Sequence, residues 1–479
     1  MRAKNRVLLL LALWVLAPVF ASGEAQAAVI YVSEAGNDSN SCTALSPCRS
    51  IQRAEELVRP GDIVEVGPGT YPGPIMLRKA GLPGNKIVYR GHGGVCPSTP
   101  GNDVNAPASR PAPTSITGTW IVEASHVVVE CFRVRPGQRG ANAISVTGTG
   151  TAATAAINRS FVDIRNNYIE YGGQDCAAGV TVVSNAGEEY QSTDVVIEGN
   201  FITGCAYGIS VRASRVTILN NEIYQLRSFG THDMDYVRLF GNDHLVRGNF
   251  FHGNMISACT DCHIDCVQTF NVANSAFEYL RDAVIDANTC LNAHQGIIMR
   301  DVTAGNPGTP TGRIDKITVT NNVIGRGPIG GSYMPWCMLF DAVSNLSVLH
   351  NTCLSGQVVY RANSTGVHRN NVHLSNTASP VGAITGSMVT IRDNLMFYPG
   401  KIYSSDTWPG NILNIDPLFV DAANLDVRLR TESPARSAGA SLGVNTDRDG
   451  RPRPATGPDL GAHQYSPAPV PPRRLRVVP

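Results

Sequence analysis

Residues 196–202 read VIEGNFI and residues 217–223 read TILNNEI. Each places a short β-branched run before an Asn and an apolar pair after it. The pattern returns in DIRNNYI (163–169), LVRGNFF (245–251), VIDANTC (284–290), TVTNNVI (318–324), SVLHNTC (347–353), GVHRNNV (366–372) and TIRDNLM (390–396). The Asn before the last apolar pair falls at 167, 200, 221, 249, 288, 322, 351, 371 and 394, at intervals of 20 to 39 residues.

A minimum interval near 20 with variable excess is what a coil of three short strands gives when one of its turns accepts insertions. Alternate residues of each run point inward. The repeated Asn is expected at a bend that needs unusual dihedrals, its amide bonding to the rungs above and below. Other strands open with Gly-Ile, as in GISVRAS (208–214) and GIIMRD (296–301). No long helical period occurs between residues 120 and 400, which excludes a leucine-rich repeat, and a sandwich would lack the fixed Asn. The expectation is an all-β chain, a right-handed parallel β-helix.

A solenoid needs its open ends covered. SIQRAEELVR (50–59) has Ile51, Ala54, Leu57 and Val58 at helical spacing, so a capping helix is expected at about 49–59. From Asp416 the Asn pattern ceases, and residues 416–465 are expected as an irregular C-terminal cap. The stretch 28–465 is read as one domain, and the Pro-rich, basic residues 466–479 as a disordered tail.

The N-terminus reads MRAK, then an apolar run Val7–Phe20, then Ala25-Gln26-Ala27. That is the layout of a secretory signal peptide over 1–27, so a secreted or periplasmic protein is expected. A net charge of +1 gives no electrostatic case for nucleic acid, and no later run is long enough for a membrane span. A monomer is expected. Twelve cysteines suit an exported chain, and Cys42 and Cys48 form a plausible small-loop pair. Cys290 and Cys353, with a rung between them, are expected as buried small apolar residues.

The stretches YVSEAGNDSN (31–40), PCRSIQRAEELVRPGDIVEVGPGTY (47–71) and DPLFVDAANLDVRLRTESPARSAG (416–439) resemble extracellular parallel β-helix proteins related to pectate lyases. With the Asn rungs, the resemblance covers nearly all of the mature chain. It implies the fold. The group includes polysaccharide lyases, C5-epimerases, glycoside hydrolases and proteins of no known activity, so it implies less about chemistry.

Two rungs carry the candidate chemistry. HDMDYVRLFG (232–241) and HIDCVQTFN (263–271) superpose with Asp235 over Asp265, Arg238 over Gln268 and Phe240 over Phe270. In a β-helix each pair shares a column, roughly 4.8 Å apart. The next rung adds His294, Gln295, Arg300 and Asp301. One face then gathers carboxylates, imidazoles, guanidinium groups and aromatics, a constellation suited to an acidic polysaccharide.

β-Elimination on a uronan needs the sugar carboxylate neutralised and the C5 proton removed. Arg238 and Arg300, or a Ca²⁺ held by Asp233, Asp235 and Asp265, would neutralise. His263 is the expected base, Arg238 the alternative, and Asp265 belongs to the catalytic set. His232, Gln268 and His294 would bind substrate, with Phe240 and Phe270 as stacking faces. The motif also resembles the Ca²⁺-binding Asp-Asp-Gly-x-Asp-Leu-Trp pattern of one pectate lyase family, but Gln268 and Arg238 stand where that pattern has its last Asp. Hydrolysis by Asp235 and Asp265, C5-epimerisation and non-catalytic glycan binding are the alternatives.

Within CTDCHIDCVQTF (259–270), Cys259, Cys262 and His263 have haem-attachment spacing. An outer β-helix strand offers neither a pocket nor a second axial ligand, so haem is not expected. A Cys259–Cys262 disulfide, or pairing to a neighbouring rung, is the expectation there.

Overall fold

The computed structural model describes residues 27–91, 96, 114–147, 159–173, 176–183, 193–228, 233–254, 263–271, 278–301, 311–326, 335–375, 379–383 and 386–467. Three 13-stranded sheets run the length of the coil. The first begins at Val29–Val32 and ends at Met388–Arg392; the third begins at Gly69–Pro72 and ends at Ile412–Leu413. The second contains Cys205–Ser214, Asp233–Asn242, His263–Phe270, Gln295–Arg300, Trp336–Asp341 and Gln357–Arg361. Among the described strands every pairing is parallel except that of Phe419–Asp421 with Asp426–Leu429. This is the expected right-handed parallel β-helix, the hand that parallel crossovers take.

The Asn residues form a buried ladder. Asn288 donates from its main-chain N and its Nδ2 to Asn322 Oδ1 (2.9 and 3.0 Å), and Nδ2 also reaches the Val246 carbonyl (2.9 Å). The ladder extends one step beyond the sequence pattern, to Asn411, which accepts from Asn394 N at 2.9 Å. One expectation needs correcting. The unusual dihedral sits on the residue before each ladder Asn: Asn166, Asn220, Ala287, Asn321, His350, Asn370 and Asp393 all have φ between 50° and 59°. The ladder Asn is left with its side chain turned inward.

The second sheet has a corner. Tyr236 and Val237, then Cys266 and Val267, then Cys337 and Met338, are consecutive residues buried to 1% exposure or less. Two inward residues in a row break the alternation, so the outward side chains on either side converge. Gly208 and Gly296 occupy the same corner, which explains the Gly-Ile openings. A Cβ at Gly208 would lie 2.6 Å from the Tyr236 carbonyl oxygen, and one at Gly296 2.1 Å from that of Cys337.

At the N-terminal end the helix Ile51–Leu57, with Ser50 accepting from Arg53 N, places Ile51 and Ala54 in the core. Glu55 is unexpectedly buried too, accepting from the main-chain N of Arg78 and Lys79 at 2.7 Å each and from the Tyr89 hydroxyl. The C-terminal expectation is revised. Tyr403 and Trp408 pack against the last turns of the core, whereas Phe419, Val427, Leu429, Ala435, Leu460 and Ala462 lie laterally on Val323, Val372 and Leu395. Residues 416–465 therefore cover a flank. Residues 1–26 and 468–479 lie outside the described residues.

Among the described residues, five disulfides join Cys42–Cys48, Cys96–Cys131, Cys176–Cys205, Cys266–Cys290 and Cys337–Cys353. Cys290 and Cys353 are thus not lone apolar residues. Each bonds across the core to the corner cysteine of the second sheet rather than along the column. Cys259 and Cys262 lie outside the described residues.

Candidate functional site

The corner assembles the candidate site on the outer face of the second sheet. Asp233 pairs in register with His263, Asp235 with Asp265, and Arg238 with Gln268. Because Tyr236 and Val237 both turn inward, Asp235 and Arg238 meet: Arg238 Nε donates to Asp235 Oδ2 at 2.6 Å. Its Nη2 donates to Asp233 and, at 3.1 Å, to Gln268 Oε1. Gln268 Nε2 donates in turn to Asp265 Oδ2 at 2.7 Å. The Tyr207 ring, in register with Asp235 one rung earlier, underlies Arg238 at 4.3 Å.

Asp235 and Asp265 are fully buried, yet Oδ1 of each has no hydrogen-bond partner. Such an oxygen is costly unless a proton or cation comes to it. Burial pushes Asp235 up to about 8, Arg238 working against the rise and Asp233 adding to it. Burial, with Asp235 and Asp233 nearby, also raises Asp265 well above the usual carboxylate range. Arg238 is the reverse case. Burial opposes its charge, but Asp235 and Asp233 outweigh burial and its pKa is raised.

Oxygens of Asp233, Asp235 and Asp265 lie within 4.8 Å of one another. Three carboxylates against one guanidinium leave a deficit of two positive charges, and an all-oxygen set with unused buried lone pairs fits a hard divalent cation. A second cluster, Asp447, Asp449 and His463, does not have that character. Asp447 Oδ1 accepts from Asp449 N and Arg451 N (2.9 Å each) and Oδ2 from Gln464 N (2.8 Å), so it ties a loop.

His263 is exposed beside this centre, two residues from Asp265 on the same strand face. Its ring centroid lies 6.0 Å from that of His294. Nδ1 of His294 is buried without a partner, and burial, with His263 nearby, lowers its pKa.

Other expected residues sit elsewhere. Phe240 is fully buried under Arg212 (4.7 Å) and clustered with Tyr279, so it offers no stacking face; Phe270 meets it edge-on at 5.1 Å and stays partly exposed. Arg300 is in register with Phe270, away from the carboxylates, and its ion pair is with Asp341 at 3.6 Å rather than with Asp301. Asp301 is buried and accepts from Thr311 N and Arg313 N at 3.1 and 3.0 Å. Arg238, enclosed by acceptors and held charged, is unsuited to act as a base. His232 lies outside the described residues. Tyr207 was not foreseen; its signal was its place just before Gly208-Ile209, where Asp235 precedes Tyr236-Val237.

These features define a right-handed parallel β-helix with an acidic centre on one outer face. A family described as a protein of unknown function (DUF1565) matches residues 34–258, just under half of the chain and ending before His263. No curated protein sequence matches. Among solved structures, the complex of XylC with xylose is similar with a TM-score of 0.50 and 13% identity, over 91% of this chain and 98% of that one. Pectate lyase Pel9A is similar at 0.46 and 16% identity, over 92% and 96%. A rhamnogalacturonan lyase is similar at 0.40 and 12%, over 92% and 96%. At these identities the likeness is one of fold.

Proposed function

We propose that this protein is an exported polysaccharide lyase that cleaves a uronic-acid-containing glycan by β-elimination at the centre formed by Asp233, Asp235, Asp265, Arg238 and His263. The observation that carries the reading is the pair of buried, unpartnered carboxylate oxygens on adjacent rungs beside an exposed imidazole. The disulfides among the described residues and the leader-like N-terminus support export.

Asp233, Asp235 and Asp265 would hold a divalent cation such as Ca²⁺, which supplies the positive charge that a sugar carboxylate needs for its C5 proton to become acidic. Arg238 and Gln268 brace the carboxylates through the hydrogen bonds described above. His263 takes the C5 proton, the C4–C5 double bond forms as the C4–O bond breaks, and the imidazolium returns its proton to the departing oxygen. Burial, with His263 nearby, lowers the pKa of the neighbouring His294 and so disfavours a second cation beside the base.

The test is incubation of the mature protein with pectate, alginate and glycosaminoglycans, with and without Ca²⁺, following the absorbance of unsaturated ends. His263→Ala is expected to lower kcat by about 10²–10⁴-fold, the usual worth of a general base. Absence of the chromophore with every uronan would count against the reading. If reducing ends appeared without it, Asp235 and Asp265 would be hydrolytic.

A further inference from the structure

The outward column that carries Asp235 and Asp265 continues to an aromatic ring. Asp265 is in register with Gln295, and Gln295 with Trp336, so the indole stands two rungs on, roughly 9–10 Å along the axis. Trp336 is partly exposed and rests on the apolar cluster of Ile298, Leu339 and Val359. The Arg361 guanidinium lies over its ring, 5.4 Å from the centroid, and Arg361 Nε is buried with no hydrogen-bond partner.

Arg300, Asp341 and Arg361 are in register on successive rungs. Two guanidinium groups against one carboxylate give this patch a positive balance, opposite to the acidic centre. An indole face stacks on a pyranose ring, and a guanidinium fork binds a carboxylate through paired hydrogen bonds. Placed together, the two select a sugar that carries an acid group.

We propose that Trp336 and Arg361 form a distal subsite for a uronosyl residue, so that the glycan runs along the coil axis from the acidic centre toward the C-terminal rungs. This rests on the uronan reading of that centre. An extended chain of pyranoses advances by about one ring per rung of roughly 4.8 Å, which puts one sugar over Gln295 between the centre and Trp336. A chain too short to span both loses the second anchor.

The experiment compares digalacturonate with hexagalacturonate, and the corresponding mannuronates, by calorimetric binding in the presence of Ca²⁺ to the His263→Ala protein, where turnover is slowed and the three carboxylates are kept. The parent is expected to hold one hexasaccharide at least about tenfold tighter than the matching disaccharide, a difference that Trp336→Ala and Arg361→Gln each reduce to within about twofold. Arg361→Lys, which keeps the charge but loses the fork, should retain part of it. If His263→Ala misfolds, the same ratio is read from KM for the two lengths on the wild-type background.

A hexamer preference that survives both substitutions, or is absent from the parent, overturns the subsite. If the wild-type protein cleaves uronans while the ratio is indifferent to Trp336 and Arg361, only the subsite falls. If it neither binds nor cleaves any of these probes, the reading of the acidic centre falls with it.

Discussion

Asp235 and Asp265 have given up water without gaining a full set of partners, and that imbalance is the most informative fact at the scale of single residues. With Asp235 pushed up to about 8 by burial, a cation must displace protons to bind, so its affinity rises as pH rises toward that value. Millimolar Ca²⁺ is expected to shift the thermal midpoint little at pH 6 and by several degrees at pH 8.5, and not at all in Asp265→Asn. An equal shift at both pH values would contradict the cation site. Much of this centre was legible. A 30-residue offset between two motifs became strand register, because in a coil the offset is the rung. The fate of Phe240 was not legible, since it depends on Leu280–Arg281 pairing beside it and bringing in Tyr279. Nor was the separation of Arg300 from the carboxylates, which follows from a corner that shows only when Tyr236-Val237 and Cys266-Val267 are seen to turn inward together.

At the scale of elements, the Asn ladder does the work of holding rung to rung at the turn between the first and third sheets. Asn288→Ala removes the acceptor for Asn249 N and Nδ2 (3.0 and 2.9 Å) and the donor to the Val246 carbonyl. Several buried polar groups are left unpaired, so the expected cost is roughly 2–5 kcal/mol. Urea unfolding should show the loss as a lower midpoint at unchanged slope, and a loss below about 0.5 kcal/mol would mean that the ladder is ornamental. The ladder itself could be read from the sequence because Asn recurs in a fixed frame. Its geometry could not, because the left-handed residue before it is variously Asn, Ala, His, Asp or Gly. The cross-core disulfides escaped for a related reason. Cys266 and Cys290 sit on different sheets of the coil, and a column argument compares only residues of one sheet.

For the whole molecule, two sets of buried groups pull stability in opposite directions with pH. Burial lowers His244 to about 4 and His373 to about 3, and takes His350 and His368 well below the ordinary value, with Arg453 and His373 respectively adding to the effect. Below about 6.5 the unfolded chain binds protons that these four cannot, and stability is lost as pH falls, by up to about 1.4 kcal/mol per pH unit for each. Asp235 and Asp265 act the other way. Their folded values lie above the unfolded ones, so the cation-free protein loses stability as pH rises from about 4 toward 8. Four groups outweigh two on the acid side, and only the carboxyls act above it. Stability without a cation should therefore peak near pH 6.5, checked by urea midpoints across pH 5 to 8.5; a monotonic profile would refute the balance. Which bond breaks at the acidic centre is read from the mass of the fragments released from a uronan in heavy-oxygen water. Elimination predicts fragments with an unsaturated end and no heavy oxygen; fragments that carry one heavy oxygen from the solvent and no unsaturation would contradict it.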